Sequence, residues 1–201
     1  MKYSEIRKKL CDFDIIICDH KRLFWRMIGH NAGISIGKAG QINVFESTLQ
    51  NRWSGRKGVQ VNPFSTWIKH YPGKVSIRRL IDVEITEEHH RLDEEYISML
   101  RGWSYPNIHG GGLWKLICAS LDFEINGKDI MTYDGKDAGI FCTQLIAARL
   151  AYCGFCGKKY EGVLGACLEF GKEFEPDDMK MGGKFEDYLV KGGLDIEWQV
   201  K

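Results

Sequence analysis

Two period-two segments set on either side of a glycine-bounded turn constrain this chain most. Asn31-Ala32-Gly33-Ile34-Ser35-Ile36-Gly37 alternates as a half-buried strand does, and Gln41-Ile42-Asn43-Val44-Phe45-Glu46 repeats the pattern. Gly37-Lys38-Ala39-Gly40 between them is good turn chemistry, so the pair reads as a β-hairpin. Further short strands are expected at Asp14-Ile15-Ile16-Ile17-Cys18, at 58–61 and at 74–80, with a weak last one over 194–200.

Helical signals gather later in the chain. Thr86 caps a pattern running to Leu100, with Leu92, Tyr96, Met99 and Leu100 at helical spacing. Ile140 to Tyr152 is the clearest helix, with Leu145, Ala148 and Tyr152 on one stripe and Gly154 just past its end. Shorter helices are expected over 22–28, over 111–121 and from Pro63 to His70. Strands and helices are grouped rather than alternating, so the expected class is α+β, with a small antiparallel sheet or barrel packed against helices. The 201 residues, with no repeat and no Pro/Ser-rich linker, suit a single domain over 1–201.

Charge and hydropathy narrow the function classes. Lys+Arg is 28 against Asp+Glu 27, so no net charge argues for a nucleic-acid partner. No apolar run approaches the roughly 20 residues that a transmembrane helix needs. The polar N-terminus is expected to carry no signal peptide, which fits a cytoplasmic protein or a phage-encoded component.

Seven cysteines are present, and Cys142 stands apart from the others. It opens the clearest helix, where free amides and the helix dipole stabilise a thiolate and could hold an oxyanion. For an arbitrary cysteine, a small buried residue is the commoner role, so a partner base decides. Of six histidines, His89 and His90 are expected to face water, His20 and His70 adjoin element ends, and His109 precedes a glycine run. His30 leads into the hairpin. If the hairpin closes near Lys38-Ala39, Glu46 falls close to opposite His30 and would orient its ring. Without Cys142, Glu46 would read as a solvated strand-end carboxylate.

In this order, the segments resemble the circularly permuted NlpC-like papain fold, the YiiX-like group, in which histidine precedes cysteine. The matching motifs are Gly29-His30-Asn31-Ala32-Gly33-Ile34, then Val44-Phe45-Glu46-Ser47, then Phe141-Cys142-Thr143-Gln144-Leu145. Softer likenesses at 14–17, 58–64 and 175–179 extend it over residues 12 to 180. The resemblance implies a Cys142–His30–Glu46 triad performing thiol-dependent acyl transfer or hydrolysis through an acyl-enzyme. It implies a peptide or acyl-lipid substrate and no metal or organic cofactor. Thr143 and Gln144 replace the family's usual Ser and Glu.

Asn31 holds the slot where the family's histidine directly precedes the small-Gly-apolar triplet, and His30 comes one residue early. Regular alternation puts Asn31, Gly33 and Ser35 on the cleft face, and His30, Ala32, Ile34 and Ile36 on the core face. A bulge at the strand start would re-aim His30. Otherwise another histidine serves, or the chain is a binding or structural module that kept the fold. Cys153-Gly154-Phe155-Cys156 lacks a second ligand pair for zinc and follows a helix end, whereas redox CxxC motifs more often open one. Trp25, Trp53, Trp103, Tyr105 and Trp114 are candidate cleft aromatics, and Arg78-Arg79 and Lys158-Lys159 read as solvated pairs.

Overall fold

The computed structural model describes residues 3–20, 30–37, 39–49, 55–105, 140–157, 160–167, 176–180, 183–189, Leu194 and 198–200. The helices expected over 22–28 and 111–121, together with Trp25, Trp53, Trp114, His109, Cys118 and Lys158-Lys159, lie outside them.

Among the described residues, six strands form one antiparallel sheet: β1 (Ile15–Asp19), β2 (His30–Ile36), β3 (Ile42–Thr48), β4 (Gly58–Pro63), β5 (Lys74–Arg78) and the short β6 (Trp198–Gln199). Their order is β4-β3-β2-β1-β5-β6, so the sheet is open, with edges at β4 and β6, and does not close into a barrel. The class is α+β. The hairpin forms as its alternation predicts, with Ile36 opposite Ile42 and Gly33 opposite Phe45. Gly40 turns the chain at φ 70°, a left-handed value that costs glycine little.

Layers follow from which face of each strand is apolar. Ile16 and Cys18 of β1, Ala32 and Ile34 of β2, and Val44 of β3 pack with Phe64, Trp67 and Ile68. Those last three lie on α2 (Phe64–His70), and Ile6 of α1 (Tyr3–Ile6) joins the same cluster. Ile15, Ile17 and Phe45 point the other way, toward Tyr96 and Leu100 of α3 (Glu87–Leu100) and Leu145 to Ala148 of α4 (Cys142–Tyr152). The Ile15-Ile16-Ile17 run is therefore buried on both faces, as a central strand between two helical layers must be. The single turn α5 (Gly162–Gly165) and two 3-10 turns, Pro176–Met179 and Lys184–Tyr188, complete the described elements.

Helix α3 starts where its cap signal lies. The Thr86 hydroxyl accepts the His89 N–H, and His89 Nδ1 accepts the Thr86 N–H at 3.0 Å. His89 and His90 are thus not simply solvated. The His89 ring packs 4.6 Å from Phe155, and His90 Nδ1 lies 3.1 Å from Asp12. Met99 is 49% exposed although its spacing matched the apolar stripe; the buried positions are Asp93, Tyr96 and Leu100.

Asp93 takes a core position because α4 brings a buried cation to it. Arg149 is 1% exposed and donates to both Asp93 oxygens (2.6 and 2.7 Å) and to the Ile34 carbonyl (2.8 Å). Its guanidinium also lies 4.7 Å from the centre of the Phe13 ring. This pairing locks α4 to both α3 and β2. Arg78 and Arg79 are likewise not a solvated pair. Arg78 is buried against the Met179 and Leu194 carbonyls and the Glu186 carboxylate, and Arg79 grips both oxygens of Asp14.

Candidate functional site

Cys142 is the first residue of α4, and its side chain is 5% exposed. The helix begins there because Phe141 is extended and Gln144, at the third helical position, reaches back to accept the Phe141 N–H at 3.3 Å. The amides of the first turn have no partner within the helix, so they face whatever lies beyond its N-terminus. Ser47 on β3 donates its hydroxyl to the Ile140 carbonyl, and Asn31 Nδ2 donates to Thr143 Oγ1 at 3.3 Å. These two contacts seat the helix start against β2 and β3.

The face problem posed by Asn31 and His30 is resolved without a bulge. Asn31 does face α4, as alternation requires, and His30 shares the opposite face with Ala32 and Ile34. The ladder between β2 and β3 ends at Gly33 and Phe45, short of His30. Ile34 gives its N–H to Asp14 on the β1 side, so alternation turns the Asn31 N–H toward β3. Beyond the end of the ladder, that N–H donates to the Cys142 sulfur. The sulfur thus sits at the end of the pairing, where an imidazole from the far face can also hydrogen-bond to it.

His30 is one-fifth exposed, and its Nε2 lies 3.2 Å from Glu46 Oε2. It reaches Glu46 diagonally, not straight across the hairpin. With Nε2 on the carboxylate, Nδ1 is the ring nitrogen left for the sulfur. Glu46 is no solvated carboxylate. It is 3% exposed and accepts from Trp67 Nε1 at 2.8 Å and from Asn62 Nδ2 at 3.1 Å as well as facing His30. The structure therefore brings Cys142, His30 and Glu46 together.

Burial alone would push the Cys142 thiol up. The positive charge and hydrogen bond of His30, the Asn31 N–H and the Thr143 hydroxyl outweigh it, and the thiol falls below its ordinary value. For His30, burial alone would favour the neutral ring. The Cys142 sulfur and then Glu46 overcome this and raise it to about 10. Both shifts run in the direction of a thiolate beside an imidazolium. The other described thiols move the opposite way: burial pushes Cys11, Cys18, Cys153, Cys156 and Cys167 upward. Cys153 and Cys156 are both buried free thiols. Among the described residues no group of three or more His, Cys, Asp or Glu is arranged to hold a metal ion.

The pattern of residues missed the polar partners of Glu46 and the aromatic surroundings of Cys142. Trp67, which the sequence pattern did not single out, stacks between Phe64 (6.3 Å) and Tyr71 (4.9 Å). Its spacing from Glu46 carries no signal, because only the β3–β4 register brings α2 over that carboxylate. Of the expected cleft aromatics, Tyr105 packs edge-on against Phe141 beside the sulfur, while Trp103 is half-buried against the α3/α4 core.

No family model matches the chain, and comparison with curated proteins finds no match. Among solved structures the chain is similar to the metalloprotein yiiX from Escherichia coli O157:H7 (DUF1105). The identity is 16% and the TM-score 0.45. The match covers 71% of this chain and 66% of that one, just under two thirds of its length. Among the described residues no helix is long and apolar enough to cross a membrane.

Proposed function

We propose that this chain is a thiol-dependent hydrolase or acyltransferase, a single domain with the permuted papain-like arrangement. Cys142 is the nucleophile, His30 the general acid and base, and Glu46 the group that orients His30. One observation carries the reading. A sulfur at a helix N-terminus shares an imidazole with a buried carboxylate, an arrangement that lowers the thiol and raises the imidazole.

The mechanism follows from that geometry. The Cys142 thiolate attacks the carbonyl carbon of an amide, ester or thioester, forming a C–S bond and moving the carbonyl π electrons to oxygen. The Cys142 backbone amide, at the start of α4, donates to that oxyanion. His30 passes its Nδ1 proton to the leaving group as the scissile bond breaks, leaving an acyl-enzyme. Neutral His30 then draws a proton from water, or from an acceptor amine or alcohol. The attack of that nucleophile releases the acid or the transferred acyl product and restores the ion pair. Glu46 keeps the Nε2–H engaged throughout, so the ring cannot turn away. Every step uses residues of this chain. Peptide amides of cell-wall type and acyl-lipid bonds are the substrate classes that the family resemblance suggests.

The alternative is a binding module that kept the fold after the histidine slot became Asn31. Its premise was a missing base, and the contact of His30 with both Cys142 and Glu46 supports the catalytic reading over it.

Timed alkylation with iodoacetamide at pH 7, followed by peptide mass mapping, tests the choice. Cys11 is the more exposed thiol but is shifted upward, so accessibility and activation point to different residues. The hydrolase labels first at Cys142, and His30→Ala slows that labelling. Labelling at Cys11 ahead of Cys142, with no effect of His30→Ala, would reject the reading.

A further inference from the structure

We infer that Trp67 and Asn62 are positioning residues, which hold the Glu46 carboxylate as a fixed acceptor for the His30 ring and act on Cys142 only through it. The inference rests on the thiol-hydrolase reading above and deepens it.

A carboxylate as buried as Glu46 must be satisfied by donors, because an unpaired buried charge is among the most costly groups a fold can hold. The residue directly across the ladder does not supply them. Glu46 faces Gln60, whose side-chain nitrogen and oxygen have no hydrogen-bond partner among the described residues. The donors come from the next position on that strand face and from the helix that follows. Asn62 Nδ2 reaches Oε1 at 3.1 Å, and Trp67 Nε1 reaches Oε2 at 2.8 Å. His30 uses the same Oε2 at 3.2 Å, so the oxygen that steadies the imidazole is also the one that the indole fixes.

Three features distinguish this from ordinary core packing. The Trp67 ring is held by stacking on Phe64 and Tyr71, which does not require its N–H to meet a carboxylate. An indole N–H is a donor only and an amide NH₂ always retains its donors, so neither contact changes as His30 and Cys142 exchange a proton. Finally, both donors ride on one unit. Strand β4 ends at Pro63 and α2 begins at Phe64 with no loop between, so the β3–β4 register that sets Gln60 against Glu46 also sets Asn62 and Trp67. The two donors pin the two carboxylate oxygens separately, leaving the group no rotation that would swing Oε2 away from His30.

The test is the pH dependence of Cys142 alkylation in the intact protein. Trp67→Phe keeps an aromatic ring in the stack and removes the N–H; Asn62→Leu removes the amide at similar volume. In each, the midpoint at which Cys142 becomes reactive moves up by about one pH unit, and the rate at pH 7 falls about tenfold. Asn62→Gln, which retains an amide donor, recovers most of the shift. Ile68→Ala, on the same helix and in the same apolar cluster, loses packing without touching Glu46 and leaves the midpoint in place. Unmoved midpoints in Trp67→Phe and Asn62→Leu, in a protein whose Cys142 still depends on His30, would overturn the inference and spare the triad. So would a shift in Ile68→Ala as large as in the other two. If Cys142 of the parent protein is not dependent on His30 at all, the triad reading fails, and the positioning role fails with it.

Discussion

Replacing Gly33 with alanine sets two opposing effects against each other. Gly33 lies in the extended backbone of β2, where alanine is intrinsically better than glycine by ~0.5–1 kcal/mol. A Cβ at this position, however, would lie 2.6 Å from Arg149 Nη1 and 3.1 Å from Ile146 Cδ1. An arginine terminus usually gives way cheaply. This one is clamped by Asp93 on one side and by the Ile34 carbonyl on the other, so yielding means giving up the 2.8 Å bond to Ile34. A buried hydrogen bond to a charged group is worth about 1.5–3 kcal/mol.

The clash wins, and Gly33→Ala destabilises by about 1–2 kcal/mol, a fall of roughly 3–6 °C in Tm for a chain of this size. Because Arg149 and Cys142 share α4, about two turns apart, labelling of Cys142 slows as well. Thermal unfolding followed by circular dichroism reads the first effect and timed alkylation the second. In an Arg149→Met background the clash with the guanidinium is gone, so the same substitution becomes neutral or better, giving a coupling of at least ~1 kcal/mol in the double-mutant cycle. A Gly33→Ala protein as stable as its parent, or additivity in the cycle, would refute the claim that the buried Arg149–Asp93 pair fixes how closely α4 approaches β2.

Four other outcomes are expected. The alkylation rate of Cys142 rises through a midpoint below the ordinary thiol value of 9.0; in His30→Ala that midpoint moves up, since burial then acts with less to oppose it. Hydrolytic activity, once a substrate is in hand, falls again on the alkaline side near pH 10, where His30 loses the proton that the leaving group needs; a profile with no alkaline fall would contradict the acid role. Gln60→Met replaces two buried amide atoms that have no hydrogen-bond partner among the described residues by apolar ones of similar size, and raises the urea midpoint by the equivalent of about 1 kcal/mol. Tyr96→Phe, which removes the hydroxyl that donates to the Leu145 carbonyl at 2.8 Å, lowers it by a similar amount.

What was legible in the sequence was local. The hairpin follows from alternation and a glycine turn. The start of α3 follows from Thr86, and the start of α4 from the residues around Cys142. Each of these signals spans only a few neighbouring residues. The partners of Glu46 were not legible, because Asn62 and Trp67 meet it only through strand register. Arg78 was misjudged for a related reason. A charged residue within a strand reads as solvent-facing, and only a distant counter-charge, Glu186, makes it a core residue. The helical pattern gave no reading of Asp93, which owes its core position to Arg149. His30 and Cys142 lay between these extremes. Alternation placed His30 on the correct face, yet that face appeared to forbid the contact, because periodicity does not say where a ladder stops.

The early end of the β2–β3 pairing carries a further consequence. Adding one more rung would match Asn31 with Ser47 and direct the Asn31 amide to a neighbouring carbonyl instead of to sulfur. Zipping up the sheet and stabilising a Cys142 thiolate therefore compete for one proton donor. Substitutions that tighten this corner of the fold should push the Cys142 thiol back up, because the unfinished seam is what leaves that donor to the sulfur.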